Sequence, residues 1–320
     1  MKELIKIFKQ TGVIPVVKLE NPDNAIPLTR ALLKGGITCV EITFRSAAAE
    51  ESIKRINREV PETLVGAGTV LTLEQAKQAL QAGAKFLVTP GFSPKIVDFA
   101  QTKGVPIFPG VNTPTSIEAA LEKGLDILKF FPAEQSGGCN TLKALGGPYQ
   151  NLKFIPTGGI KPSNLGDYLS LPNVLACGGS WLVNPKLIEA KKFEEIKKLT
   201  TEAIDIMLDF DLSHIGINTN SEKEAINNAN EIYKMFKFPI KIGKSSVFSG
   251  TEFEWMKNPF LGKHGHIAIG TKNIEGAVAY LAKRGINVKE ETRKEKNGEL
   301  VAIYLDIELG GFAFHLVEKK

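Results

Sequence analysis

Through the first two-thirds of the chain, short uninterrupted apolar runs alternate with longer amphipathic stretches. The runs cover residues 13–18, 38–44, 63–67, 85–89, 105–109, 126–131, 153–157 and 173–177. A strand without polar alternation is covered on both faces, as in a parallel sheet. Between the runs, segments such as 24–34, 73–81 and 116–123 carry helical spacing. Gly35, Gly83, Gly104 and Gly124 fall where helices end in a left-handed residue. Ser93-Pro94 and Thr113-Pro114 each place a capping hydroxyl before a proline at the first helical position. Eight such units in about 200 residues predict a (β/α)8 TIM barrel. A doubly wound open sheet is the rival, but it gathers ligands at one strand-order reversal. Here the chemically suggestive residues follow several strands.

A last barrel helix is predicted over 186–208, and Asp209-Phe210-Asp211 reads as a connector. Beyond it, SHIGINTNSEKEAINNANEIYKMF and GHIAIGTKNIEGAVAYLAKRG share one layout: a strand opened by His, a polar turn, then a helix. Short strands follow each. The chain thus predicts an α/β barrel over 1–208 and a smaller α+β domain of tandem βαβββ modules over 212–320.

Composition narrows the function. The net charge of +5 is mild and the lysines are scattered, which favours small anionic ligands over nucleic acid. No apolar stretch approaches the ~20 residues that span a bilayer. The opening MKELIKIFKQTG mixes charge into its apolar positions, as a short amphipathic helix does and an export signal does not. Cys39, Cys139 and Cys177 lie far apart without metal-ligand spacing, as buried thiols in a reducing compartment would. The expectation is a cytoplasmic protein that binds neither membrane nor nucleic acid.

Catalytic groups of such barrels sit at the C-terminal ends of strands. The second predicted strand carries Glu41, then Thr43 and Arg45, and the third leads into Gly66-Ala67-Gly68-Thr69. The sixth carries Lys129, and the last two end in Thr157-Gly158-Gly159 and Gly178-Gly179-Ser180. An ammonium in an apolar strand either snorkels to water or is held neutral by burial, and a neutral amine attacks ketones to give an iminium electron sink. Glu41 within Cys39-Val40-Glu41-Ile42 reads either as its ion-pair partner or as a proton shuttle. The glycine pairs, with Ser180, read as a phosphate cradle. One of Phe130 and Phe131 would keep the site dry while the other packs in the core.

These residues lie in VEITFRS (40–46), GAGTV (66–70), VTPGF (88–92), PGVNTPTS (109–116), LKFFPAE (128–134), PTGGI (156–160) and GGSWLV (178–183). In this order they resemble the 2-keto-3-deoxy-6-phosphogluconate aldolase family, whose members also include enzymes acting on 4-hydroxy-2-oxoglutarate. The resemblance implies Lys129 as Schiff-base residue and Glu41 as proton shuttle. It implies Arg45 and Thr69 at the pyruvyl carboxylate, Phe131 against the substrate, and Thr157, Gly158, Gly159, Gly179 and Ser180 at its far end. It also implies keto-acid and phosphosugar-acid substrates, no cofactor for this reaction, and a homotrimer. The galactonate-derived epimer is an alternative substrate. A degenerate phosphate-binding barrel serving the C-terminal domain, and an acid–base isomerase, are alternative activities.

SHIGI, TEFEWMK, GHIAIGT and GGFAFHLVE resemble the vicinal oxygen chelate superfamily, the glyoxalase and bleomycin-resistance fold. That resemblance implies a divalent metal held by His214, Glu254, His266 and His315. Many members carry Glu where this chain has His315, which leaves Zn, Ni, Mn and Fe(II) open. Glu252 competes with Glu254, since residues two apart on a strand share a face. A metal-free binding module is the alternative.

Overall fold

The computed structural model describes residues 1–319. The chain divides into two compact units, Met1–Met207 and a second from Leu208 onward.

The first unit opens with helix α1 (Lys2–Thr11), then strand β1 (Val13–Val17), α2 (Ala25–Gly35), β2 (Cys39–Thr43) and α3 (Ala49–Glu59). It continues through β3 (Leu64–Gly68), α4 (Leu73–Gln81), β4 (Leu87–Val88), α5 (Pro94–Thr102), β5 (Ile107–Phe108), β6 (Gly110–Val111) and α6 (Pro114–Glu122). It ends with β7 (Ile127–Phe130), α7 (Gly138–Leu145), β8 (Lys153–Pro156), α8 (Pro162–Leu169), β9 (Cys177–Gly179), α9 (Pro185–Glu189) and α10 (Phe193–Leu208). One ribbon runs β5-β4-β3-β2-β1-β9 and another β6-β7-β8. β5 and β6 are two halves of one strand interrupted at Pro109, whose carbonyl still accepts from the Lys129 amide. The parallel bridge Thr157 to Gly178 joins β8 to β9, so eight parallel strands curl into a barrel of the TIM type.

Its strands are buried on both faces, as their continuous apolar runs require. Phe8 of α1 inserts between Phe86 and Phe108, with ring centroids 5.3 and 5.6 Å away. Gly66 makes room for this cluster, because a Cβ there would lie 2.3 Å from the Phe86 ring. Burial of each such ring contributes roughly 1.5–3 kcal/mol.

Three local expectations are corrected. Gly36 (φ 110), not Gly35, takes the left-handed position after α2. The last barrel helix is two helices, α9 and α10, broken where Lys191 adopts φ 53. The eighth strand is Cys177–Gly179 rather than 173–177, because Val174 makes only a single bridge to Phe154.

The second unit holds β10 (Asp211–Asn218), α11 (Glu222–Phe236), β11 (Ile240–Ile242), β12 (Ser246–Ser249) and β13 (Phe253–Met256). A second set repeats this order: β14 (Gly265–Thr271), α12 (Ile274–Ala282), β15 (Lys294–Lys296), β16 (Glu299–Leu309) and β17 (Phe312–Glu318). The sheet order β11-β12-β13-β10-β14-β17-β16-β15 reads as one module followed by its reverse. β10 and β14 meet antiparallel at the centre, and each runs parallel to the last strand of its own module. The connector at 209–211 belongs to this unit, since Asp209 bonds Lys272 and Lys319, each at 3.0 Å. Among the described residues no helix is long and apolar enough to cross a membrane.

Candidate functional site

Lys129 stands third of four residues in β7, opposite Gly110 on β6 and Ile155 on β8. Its Nζ lies 3.5 Å from Glu41 Oε1, and the two side chains are only 6% and 4% exposed. Glu41 comes from the middle of β2 and needs the absence of a neighbour's side chain: a Cβ on Gly68 would fall 1.9 Å from its Oε1. Gly68 is thus a site residue that sequence reasoning does not single out, its signal hidden among the other glycines of GAGTV. Beyond it Thr69 holds φ 52, an unusual conformation for a non-glycine residue and one that concentrates at functional sites.

The Phe131 ring lies 5.4 Å from Lys129 Nζ, while Phe130 is fully buried against Phe154. That divides the two phenylalanines between site and core. Arg45 Nε donates to Thr43 Oγ1 at 3.1 Å, and that hydroxyl donates to the Val17 carbonyl, so the guanidinium is tethered to the strand that carries Glu41. Thr157 ends β8, and Gly178 leaves room for it, since a Cβ there would meet Thr157 Oγ1 at 2.2 Å. Gly158 and Gly159 follow with φ 100 and 81, values suited to glycine. Gly179 closes β9 with Ser180 exposed beside it. Among the described residues, the N–H groups of Gly159, Ile160 and Ser180 meet no protein acceptor, while the Gly158 N–H faces Gly178 across the bridge that closes the barrel. Unpartnered amides in two glycine-rich turns form an arrangement able to receive an anion.

A family model for KDPG and KHG aldolase matches residues 4–199. The chain belongs to the KDPG and KHG aldolase family. It is therefore an aldolase, an enzyme of the lyase class. It is 48% identical over 206 residues to the 2-dehydro-3-deoxy-phosphogluconate aldolase of Haemophilus influenzae, covering 64% of this chain and 97% of that one. It is 41% identical over 193 residues to the KHG/KDPG aldolase of Escherichia coli, covering 60% of this chain and 91% of that one. A solved KDPG aldolase of Legionella pneumophila, with pyruvate captured as a covalent carbinolamine, superposes with a TM-score of 0.60 at 36% identity. That match covers 62% of this chain and 96% of that one.

In the second unit of this aldolase, the mirrored sheet brings together one residue from each of four strands. His214 on β10 and His266 on β14 face each other with Nε2 atoms 3.3 Å apart, and Glu254 Oε2 on β13 lies 3.1 Å from both. The fourth, His315 on β17, lies 4.8 Å from the His266 ring by centroids. The symmetry shows in the register: Glu254 pairs with Gly216, and His315 with the equivalent Ala268. Gly216 has to be small, because a Cβ there would fall 2.1 Å from the His266 ring. Glu252 precedes β13, is exposed, and bonds the Thr251 amide, so it does not share the face of Glu254. His264 stands outside the cluster, beside Phe312.

Burial alone would raise the Glu254 carboxyl. Hydrogen bonds from His214, His266 and Ser246 instead hold it far below the ordinary carboxylate range. Burial, and then the neighbouring His266 and His214, push His315 down to about 3, which makes it a neutral imidazole. Ligand nitrogens of the three histidines lie within 4.8 Å of one another. Both ring nitrogens of His315, and Nδ1 of His266, are buried without a hydrogen-bond partner. Buried unpaired nitrogens are costly, and a donor set of three imidazoles and one carboxylate fits a divalent transition metal.

Proposed function

We propose that the barrel cleaves 2-dehydro-3-deoxy-6-phosphogluconate to pyruvate and glyceraldehyde 3-phosphate, and 4-hydroxy-2-oxoglutarate to pyruvate and glyoxylate. The observation that carries this reading is the buried Lys129–Glu41 pair at 3.5 Å. A purely structural ion pair in that position would gain little over well-packed apolar residues, because both charges lose their water. Proton exchange between an amine and a carboxylate is what Schiff-base chemistry requires.

Lys129 adds to the C2 ketone, and loss of water gives an iminium. Glu41 accepts the C4 hydroxyl proton as the C3–C4 bond breaks, and the bonding electrons flow to the iminium nitrogen. The aldehyde leaves. The resulting enamine is protonated at C3, and hydrolysis releases pyruvate and the free amine. Phe131 shields the amine from water. Arg45 and Thr69 receive the pyruvyl carboxylate, and Thr157, Gly158, Gly159, Gly179 and Ser180 receive the far end of the substrate. No cofactor takes part in this scheme. A cytoplasmic homotrimer accords with the family.

The test is reductive trapping. Pyruvate and borohydride should place a reduced pyruvyl adduct on a peptide containing Lys129. An adduct on another lysine, or no adduct, would falsify the mechanism.

For residues 212–320 the reading is a vicinal oxygen chelate domain in which His214, Glu254, His266 and His315 hold one divalent metal. The unpartnered nitrogens of His315 favour it. A bound metal would supply Lewis-acid character to oxygen ligands of a small molecule. The protein's own share is to fix the donors: Ser246 donates to Glu254 Oε1 at 2.6 Å, and Tyr304 stacks on His315 with centroids 4.6 Å apart.

A further inference from the structure

The turn Thr157–Gly158–Gly159 has all three of its carbonyls taken by the protein. Thr157 O accepts from the Ala133 amide at 2.8 Å and Gly158 O from the Glu134 amide at 3.1 Å. Gly159 O accepts from Asn164 Nδ2 at 3.2 Å. In a planar trans peptide the following N–H points opposite to the carbonyl. Capturing the Gly158 and Gly159 carbonyls therefore turns the N–H groups of Gly159 and Ile160 to the other side of the turn, where neither meets an acceptor among the described residues, while the Gly158 N–H faces Gly178 across the bridge that closes the barrel. Glu134, which supplies one of these donors, is itself held by a side-chain contact. The Tyr168 hydroxyl, on the fully buried face of α8, donates to Glu134 Oε1. Burial, and then that carboxylate, push the phenol's ionisation up, so it remains a donor. The stem of Glu134 also fills the space beside Gly159, where a Cβ would meet its Cγ at 2.4 Å.

We propose that Glu134, anchored by Tyr168, is a positioning residue that aims the amides of the Thr157–Gly159 turn at the phosphate of the substrate. Asn164, three residues into the same helix, completes the hold on Gly159. This inference rests on the aldolase reading above, specifically on the phosphate end lying at this turn. Neither residue touches the reacting carbons. Their loss should therefore weaken binding of the phosphorylated substrate while leaving bond cleavage intact.

The experiment is steady-state kinetics of Glu134→Ala, Glu134→Gln and Tyr168→Phe on the full chain, with borohydride trapping of pyruvate alongside. Glu134→Ala and Tyr168→Phe should raise KM for the phosphorylated acid about fivefold, as loss of an anchoring hydrogen bond implies. Their kcat, and their KM for 4-hydroxy-2-oxoglutarate, should stay within about twofold. Glu134→Gln keeps an acceptor for Tyr168 and should restore the wild-type KM. Equal rises for both substrates, or no rise, would overturn the proposal if wild-type trapping at Lys129 and a phosphate-selective effect of Ser180→Ala both hold. Loss of trapping in the wild type, or an unselective Ser180→Ala, would instead overturn the functional reading and this inference with it.

Discussion

In the barrel, two buried charges answer each other: Lys129 and Glu41 meet at 3.5 Å, while Thr63 Oγ1 and Trp181 Nε1 are buried elsewhere without partners. In the second unit, three imidazoles and a carboxylate converge, yet both nitrogens of buried His315 are left without partners. The Lys129–Glu41 pair is satisfied within the protein. The second arrangement leaves both nitrogens of His315 desolvated and unpaired, which is costly. Buried polarity therefore means different things in the two places. The proposed covalent chemistry rests on a satisfied pair, and the proposed metal site on unsatisfied nitrogens.

The sharpest way to break this contrast is at Lys129. Lys129→Ala removes the electron sink and should abolish turnover of the keto-deoxy acid, measured by coupled assay of pyruvate release. Glu41→Gln should still form the imine slowly but lose about 100-fold or more in kcat, as removal of a proton-transfer group does. Retained turnover in Lys129→Ala would reduce the pair to an ordinary buried ion pair.

The two regions were also unequally legible in the sequence. In the barrel, eight apolar runs mark the strands because both faces of each are covered, and LKFFPAE places Lys129 where a strand ends. What escaped notice depends on three-dimensional neighbours. Gly68 matters only because Glu41 lies across it, and Glu134 only because Tyr168, 34 residues later, reaches back to it. Neither relation has a local pattern. The break at Lys191 was hidden because the apolar spacing of α9 runs on into α10 without a proline or glycine to mark it. In the second unit the repeat itself was visible, with His214 and His266 opening equivalent strands. The choice between Glu252 and Glu254 was not, because it turns on β13 starting at Phe253, one residue after Glu252.

The incompleteness of the second cluster can be tested directly. Calorimetry of the full chain should show a transition that a chelator lowers by at least ~5 °C, with aldolase turnover unchanged. His266→Ala should remove the same stabilisation. No stoichiometric metal in the purified protein, together with an unmoved transition in His214→Ala/His266→Ala, would leave a metal-free binding module. Acid sharpens the same point. His315 is depressed from 6.5 to about 3, so its contribution is present above pH 6.5 and is lost as the pH falls towards 3. The low carboxyl of Glu254 acts in the same direction. This transition should therefore shift downward with acidification in that window, followed by calorimetry at fixed ionic strength, whereas His315→Gln should flatten its pH dependence.

The smallest expected effect lies at the open mouth of the barrel. Ser180 is exposed beside β9, and its amide, like those of Gly159 and Ile160, meets no protein acceptor among the described residues. If the phosphate rests there, Ser180→Ala deletes one hydroxyl donor from a site that keeps its backbone amides. A hydrogen bond to a charged group contributes about 1.5–3 kcal/mol, and solvent at an exposed position reduces that. KM for the phosphorylated acid should rise a few-fold while kcat holds, because this contact is made equally in ground and transition states. The shorter 4-hydroxy-2-oxoglutarate carries no phosphate, so its KM should not move. Equal effects on both substrates would place the phosphate elsewhere. The Lys129–Glu41 chemistry would still stand, but the unpartnered amides would then need another anion to explain them.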